Sequence, residues 1–402
     1  MTELINLGNL YVSDFIKDPN DYEGREKSPL TLMLDERLNA PRLTEAVDPD
    51  QMYRRQYWYR SGTNESMRRS LQDIVTEIEG RVKFDKGDIW LDIACNDGTL
   101  LSFVDKKLKR IGIDPNATNG PEFVKDYFSA EVYNKASGGK KASVITTVAM
   151  LYDLAEPVPF VEDVYIVLKD DGIWVIQMSY TPLMMEQLAF DNICHEHVYY
   201  YGLLSIERLV GPLGFCVVDC SLNETNGGSF RVTLQKKSAP VSSFGSAPVR
   251  DVCNYRIGAF RSHELGHLRF VSVPQQWMLF SKRLERLKAQ TVGFIRDEKS
   301  KGKTVYAYGA STKGNTLLQY YGLTADDITA IAERDESKYG LHTVGTNIPI
   351  IPESEVRKSN PDYMLVLPWH FIGNFCEREK DYLKGGGRFI VPCPRFEVIS
   401  NG

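Results

Sequence analysis

The 402-residue chain has no cysteine before Cys95, and none of its seven cysteines belongs to a CxxC pair. They stand at 95, 194, 216, 220, 253, 376 and 393, scattered and odd in number. Neither a disulfide framework nor a zinc ribbon is expected from that pattern, and no metal is assigned. No run approaches eighteen apolar residues, so there is no candidate for a membrane-spanning helix. No basic-then-apolar segment with a small-residue cleavage site opens the sequence, and a cytoplasmic location is expected. Positive charge is not in excess. The formal net charge of −5 leaves no electrostatic footprint for DNA or RNA. Internal repeats and low-complexity stretches are missing too. What remains is a globular composition, 43% hydrophobic and 25% charged, in a chain long enough for two or three packed units.

Residues 1 to about 50 are polar and rich in Asp, Asn, Pro and Arg, and suggest a small irregular unit with a strand or two. From Asn64 to Ile78 the pattern is helical: Met67, Leu71, Ile74 and Ile78 recur at spacings of four, three and four. Strands and helices then alternate. Ile89–Ile93, Arg110–Asp114, Ser143–Val148 and Trp174–Gln177 read as strands, and Val164–Leu168 as the end of a helix closed by Asp170-Asp171-Gly172. Apolar strands alternating with helices describe a parallel sheet covered on both faces. A long helix is expected to begin near Trp277, with Trp277, Phe280, Leu284 and Leu287 as its stripe. After Lys299–Lys303 a second α/β alternation follows, with strands at Thr304–Tyr308, Ile328–Ala332, Tyr363–Leu367 and Arg388–Val391.

Chemistry is expected where the first strand ends in Asp92-Ile-Ala-Cys-Asn-Asp-Gly98. Ligands bind beyond the carboxyl ends of parallel strands. A tight turn that approaches a ligand favours small residues at Ala94 and Gly98. Asp114, followed by Pro115, stands about twenty residues on, the position of a ribose-binding acid in nucleotide folds. Asn96, Asp97 and Gly98 are equally the residues of a plain turn, and Asp114 could be a plain strand-end acid. A GxGxxG pyrophosphate loop is absent, which favours S-adenosylmethionine over NAD.

At these residues the chain resembles the S-adenosylmethionine-dependent C-methyltransferases of nucleotide-linked keto-deoxysugars. Asp92–Gly98 is similar to their (E/D)-I-G-C-N-D-G motif. Tyr57-Trp-Tyr-Arg-Ser-Gly-Thr-Asn-Glu-Ser-Met67, Phe190-Asp-Asn-Ile-Cys-His-Glu-His197, Asn226-Gly-Gly-Ser-Phe-Arg231 and Gly309-Ala-Ser-Thr-Lys-Gly314 resemble four further stretches, in family order. The chain departs from that pattern at the N-terminal four-cysteine zinc site, which it does not have. Cys194 stands for a tyrosine, Asn226 for a histidine and Ala94 for a glycine.

The resemblance implies an α/β fold: a class I S-adenosylmethionine-methyltransferase Rossmann-like domain, a second C-terminal Rossmann-like α/β domain and a small N-terminal unit. The expected divisions are 1–63 for a substrate-binding unit without zinc, 64–260 for the donor domain, 261–300 for a connecting helix and 301–402 for a nucleotide-sugar-binding domain. Asp92, Ala94, Asn96, Asp97, Gly98, Asp114 and Pro115 would hold the donor. Attack by carbon on a sulfonium methyl needs a base for the proton beside a carbonyl, and histidine is the economical choice. His197 would be that base. Glu196 and Tyr59 would orient it or bind the enolate oxygen, with Cys194 and Asn226 at the same site. His195-Glu-His197 has no nearby third metal ligand. Ser311, Thr312, Lys313 and Asn315 would receive the substrate diphosphate at a helix N-terminus, with Arg231, Trp369 and His370 as further contacts. The expected substrate is a 4-keto-6-deoxysugar nucleotide methylated at C3 by a monomer or weak homo-oligomer. An oxygen acceptor, or a binding protein without turnover, stays open from the residues alone.

Overall fold

The computed structural model describes residues 2–50, 52, 60–63, 65–117, 122–240 and 244–400. Near the N-terminus the strands Glu3–Tyr11, Lys27–Asp35 and Ala40–Leu43 form an antiparallel sheet in that order. Leu30, Leu32, Leu38 and Leu43 are completely enclosed there. Burying four leucines contributes on the order of 6–12 kcal/mol. The unit also leans on the C-terminal domain. Tyr11 donates its backbone N–H to Gln319 Oε1 (2.8 Å), and Gln319 Nε2 donates to the Tyr11 carbonyl (3.1 Å). The strand Phe15–Ile16 pairs with His342–Thr343.

The central sheet has seven strands, in the order Phe215–Asn223, Ser229–Lys236, Leu168–Ser179, Ala142–Val148, Ile89–Ile93, Lys109–Ile113, Phe123–Val124. The last five are parallel to one another, and Ser229–Lys236 runs against both its neighbours. Numbered along the chain from the far edge, this is the 3-2-1-4-5-7-6 order of a class I methyltransferase. Every residue of Ile89–Ile93 is buried, because helices cover both faces; hence the unbroken apolar run rather than an alternating one. The direction of crossover reverses between Ile89–Ile93 and Ala142–Val148, and a crevice opens at their carboxyl ends.

One expectation changes here. The helix Pro157–Val167 ends early, and a single strand, Leu168–Ser179, runs straight through Asp170-Asp171-Gly172. Lys236 on the adjacent strand donates to the Leu168 carbonyl and to Asp170, both at 2.9 Å. A Cβ on Gly172 would meet the Ser143 carbonyl at 3.0 Å, so its glycine serves close approach of strands rather than a turn.

Two helices, Ala247–Phe270 and Val273–Ser300, lead to the C-terminal domain. The second carries the expected stripe but begins at Val273, where Ser272 and Gln275 form a capping box. The first encloses Cys253, Ile257 and Glu264 yet exposes Val252, Tyr255 and Leu265, so it has no clean stripe to read. The division at 261 falls inside it. The last sheet runs Ile350–Pro352, Ile331–Glu333, Val305–Tyr308, Tyr363–Val366, Arg388–Val391, Glu397–Ile399, all parallel except the final strand. No helix among the described residues is long and apolar enough to cross a membrane.

Candidate active site

A cavity of about 680 Å³ lies where the three units meet. The N-terminal unit contributes Tyr11–Phe15 and Arg25, and the C-terminal domain contributes Ser311–Lys313, His370 and Phe371. The central domain supplies the strand ends and the segment from Asp191 to His197.

At the strand ends, Asp114 Oδ2 accepts from the Asn96 N–H (2.9 Å) and Oδ1 from the Asn116 N–H (2.6 Å). Both oxygens keep further acceptor capacity, and the carboxylate lines the cavity. Burial raises its pKa against those two bonds. Asp92 accepts from Thr146 Oγ1 at 2.7 Å, and burial, aided by the Asp114 charge, brings its pKa to about 7. Three non-glycine residues on this wall have left-handed backbone: Ala94 (φ 60°), Asn96 (φ 52°) and Ala149 (φ 52°). Such strain gathers at ligand sites. Ile93, Met150 and Phe160 supply apolar wall. A carboxylate with spare lone pairs beside an apolar slot fits an adenosyl group.

The chemical centre is organised by Asn192. Its carbonyl accepts the Nδ1–H of His197 at 2.8 Å, which leaves Nε2 as the unprotonated nitrogen of a neutral ring. Its side-chain oxygen accepts from Lys313 Nζ at 2.6 Å. One residue thus holds an imidazole from the central domain and a cation from the C-terminal domain. The His197 ring packs on Tyr152, with centroids 4.2 Å apart. Burial first, and the Lys313 charge second, hold His197 down to about 3. His370, also on the cavity wall, is lowered to about 3 for the same two reasons. Glu196 Oε2 and Asp191 Oδ1 are buried without a hydrogen-bond partner among the described residues. Burial keeps Cys194 protonated, and its thiol bonds to Glu196. His195 turns the other way, its Nε2 3.1 Å from the Ser28 carbonyl.

Residues 63–219 match the family described as a methyltransferase domain, and residues 224–394 match the C-methyltransferase C-terminal domain. The C-methyltransferase NovU of Streptomyces niveus is 28% identical over 402 residues, covering 96% of this chain and 91% of that protein. The two domain matches and this relative together support a C-methyltransferase. It is an S-adenosylmethionine-dependent enzyme. Among solved structures, the Burkholderia thailandensis 1,6-didemethyltoxoflavin-N1-methyltransferase, with bound S-adenosylhomocysteine, overlaps with a TM-score of 0.32 at 14% identity, covering 44% of this chain and 80% of that one. The N-methyltransferase NodS of Bradyrhizobium japonicum overlaps with a TM-score of 0.31 at 11% identity, over 43% of this chain and 98% of that one. Scores this low add nothing to the assignment.

In this C-methyltransferase, Asp92, Ala94, Asn96, Asp114, Pro115, Cys194, Glu196, His197, Asn226, Ser311, Thr312, Lys313 and His370 all line the cavity. Tyr59 lies outside the described residues. Asn226 has φ 53° in a tight turn, and the next residue, Gly227, comes so near His370 that an added Cβ would stand 3.2 Å from its side chain.

Five expected contacts lie elsewhere. Asp97 accepts from the Gly62 N–H and from Thr99, as a turn residue does. Gly98 has φ 76°, and a Cβ there would strike the Phe123 ring at 2.4 Å, so packing rather than a ligand demands glycine. Arg231 is buried against Asp73, Glu77 and Gln177. Asn315 is fully enclosed and donates to the Asp14 carbonyl at 2.9 Å. Trp369 is buried too, but its Nε1 donates to Asp191 Oδ2 (3.0 Å), so it touches the site through that acid.

The Gly309–Gly314 loop is also more occupied than a phosphate cradle should be. The N–H groups of Gly309, Ala310 and Gly314 already donate to the Ala332 carbonyl, Glu333 Oε2 and Ser311 Oγ. Sequence reasoning assigned no role to Asn192, Tyr152, Ala149 or Glu333. Asn192 lay within the quoted Phe190–His197 stretch. Glu333 ends the second strand of its sheet, as Asp114 does, and that position was the available signal.

Proposed function

We propose that this C-methyltransferase alkylates C3 of a nucleotide-linked 4-keto-6-deoxysugar through an enolate formed by His197. The observation that carries the reading is the double grip of Asn192 on His197 and Lys313. When bound at the strand ends, S-adenosylmethionine supplies a sulfonium methyl and leaves as S-adenosylhomocysteine. The C4 carbonyl of the sugar is set beside the Lys313 ammonium, and its C3–H beside His197 Nε2. Nε2 takes the C3 proton, and negative charge develops on the C4 oxygen. C3 then forms the new carbon–carbon bond.

Burial first and the Lys313 charge second hold the imidazole at about 3, where it is a weak base. An enolate oxygen beside Lys313 cancels that charge, so the ring gains basicity as the proton leaves. Electrostatic assistance of this kind is realised in the transition state and therefore raises kcat. The diphosphate is assigned to the wall of Ser311, Thr312 and Arg25. Lys313, turned to Asn192, serves the sugar instead. Ser13 supports this wall by donating to the Thr312 carbonyl at 2.9 Å. The enzyme is read as cytoplasmic, and as a monomer or weak homo-oligomer.

The test is incubation with ¹³C-methyl donor and a panel of nucleotide-linked 4-ketosugars, followed by carbon NMR. Label is expected on a sugar carbon next to the carbonyl. Label on oxygen or nitrogen, or none with any member, overturns the proposal.

A further inference from the structure

The helix Ala247–Phe270 carries His263 and His267 one turn apart, so both imidazoles stand on the same face. The rings meet at 76° with centroids 4.6 Å apart, and their Nε2 atoms converge to 3.2 Å. At the end of the helix Thr181–Glu186, Glu186 Oε1 lies 3.3 Å from His263 Nε2 and 4.0 Å from His267 Nε2. We infer that Glu186, His263 and His267 form a surface site for a divalent transition-metal ion, zinc by its ligand set, separate from the methyl-transfer cavity.

The chemistry of three converging atoms supports this. Two neutral imidazoles whose Nε2 atoms face each other share only one N–H between them, and the third atom, a carboxylate oxygen, is an acceptor as well. A single cation at the centre takes a lone pair from all three. Tetrahedral ligands at zinc bond lengths stand roughly 3.3–3.5 Å apart. Two of the three separations already fall near that value, and rotation of the Glu186 carboxylate closes the third. The side chains of Glu186, His263 and His267 are 50%, 44% and 52% exposed, so a hydrated ion can enter and keep water in its remaining position. Two imidazoles and one carboxylate suit zinc better than magnesium or calcium, which prefer oxygen alone.

The placement gives the ion a structural role. Glu264, next to His263, is buried and accepts from the Tyr180 hydroxyl at 2.8 Å and from the N–H groups of Leu203 and Leu204 at 2.7 and 2.9 Å. Tyr180 precedes the helix Thr181–Glu186, so Glu264 holds the start of that helix and the metal would hold its end. Arg283 donates to the Glu186 carbonyl at 3.1 Å, tying the helix Val273–Ser300 to the same turn. From there the chain runs directly into the segment that ends at His197. An occupied site fastens the approach to the catalytic segment without touching the reacting atoms.

Calorimetric titration of the full chain with zinc chloride tests the inference, with a readout independent of methyl transfer. One ion per chain is expected, with a raised melting temperature. The double variant His263→Ala/His267→Ala should bind zinc at least tenfold more weakly, as a rough lower bound for losing two ligands, and should lose the thermal shift. Glu186→Gln should weaken binding as well. Unchanged far-UV circular dichroism and S-adenosylhomocysteine affinity would show that the variants are folded. Zinc binding equal to wild type in the double variant, or no zinc binding by the wild type, overturns the inference.

Discussion

Two loops hold the same place in two different sheets. Asp92–Gly98 leaves the strand Ile89–Ile93, and Gly309–Gly314 leaves Val305–Tyr308. In each case an acid at the end of the neighbouring strand accepts a loop N–H: Asp114 from Asn96 at 2.9 Å, Glu333 from Ala310 at 2.7 Å. The two acids then part company. Asp114 faces the cavity with acceptor capacity to spare. Glu333 gives its other oxygen to the N–H groups of Arg334 and Asp335, at 2.7 and 3.0 Å, and stays out of the cavity wall. The first loop is the one proposed to hold the donor; the second is braced by Glu333 and delivers Ser311, Thr312 and Lys313 to the cavity. Equivalent position in a fold does not make equivalent function; the unengaged valences decide.

The strongest test of that division is removal of the proposed base, His197. His197→Ala should lower methyl transfer, and exchange of the sugar C3 proton with deuterated water, by about 10²–10⁴-fold, while S-adenosylhomocysteine still binds. Next is Lys313→Met, expected to lower kcat by roughly 10²–10³-fold. It should also move the acid limb of the kcat/KM profile to higher pH, because the Lys313 charge is the second cause of the low His197 value. Full activity in that variant would remove Lys313 from the chemical step.

A paired substitution compares the two acids directly. Asp114→Asn should weaken donor binding by about tenfold, the scale of a lost hydrogen bond to a charged group. Glu333→Gln should leave donor affinity alone and cost about 1 kcal/mol of stability. The opposite pattern would exchange their roles.

The smallest expected effect concerns pH. His370 is lowered from 6.5 to about 3, so between those values the unfolded chain carries a proton there that the folded chain refuses. Its contribution to stability is present above 6.5 and lost as pH falls toward 3. His370→Gln should therefore be more destabilising at about pH 7.5 than at about pH 5 when melting temperatures are compared.

Much of this was legible before any coordinates. Strands buried on both faces leave apolar runs, and Ile89–Ile93 and Arg388–Val391 stand where those runs place them. His197 and Lys313 were singled out by type and by the stretch around them. What could not be read depends on distant partners. Arg231 was expected as a substrate contact from the resemblance of the Asn226–Arg231 stretch; its ion-pair partners Asp73 and Glu77 are 158 and 154 residues away. Asn315 opens a helix that resembles a phosphate site, and only the arrival of Asp14 shows it to be a clamp. Helix Ala247–Phe270 has too few enclosed positions to produce a periodic signal. The pairing of Lys313 with Asn192 joins residues 121 apart, and no local pattern announces it.

The pairing of Phe15–Ile16 with His342–Thr343, and of Tyr11 with Gln319 across 308 residues, has a bearing on how the chain is made. On the ribosome these strands emerge long before their partners, 308 residues earlier for Tyr11 and Gln319. Until then their leucine-rich faces have no complete seat, and long-range closure of this kind slows folding and prolongs exposure to aggregation. These strands therefore wait for partners made much later in the chain.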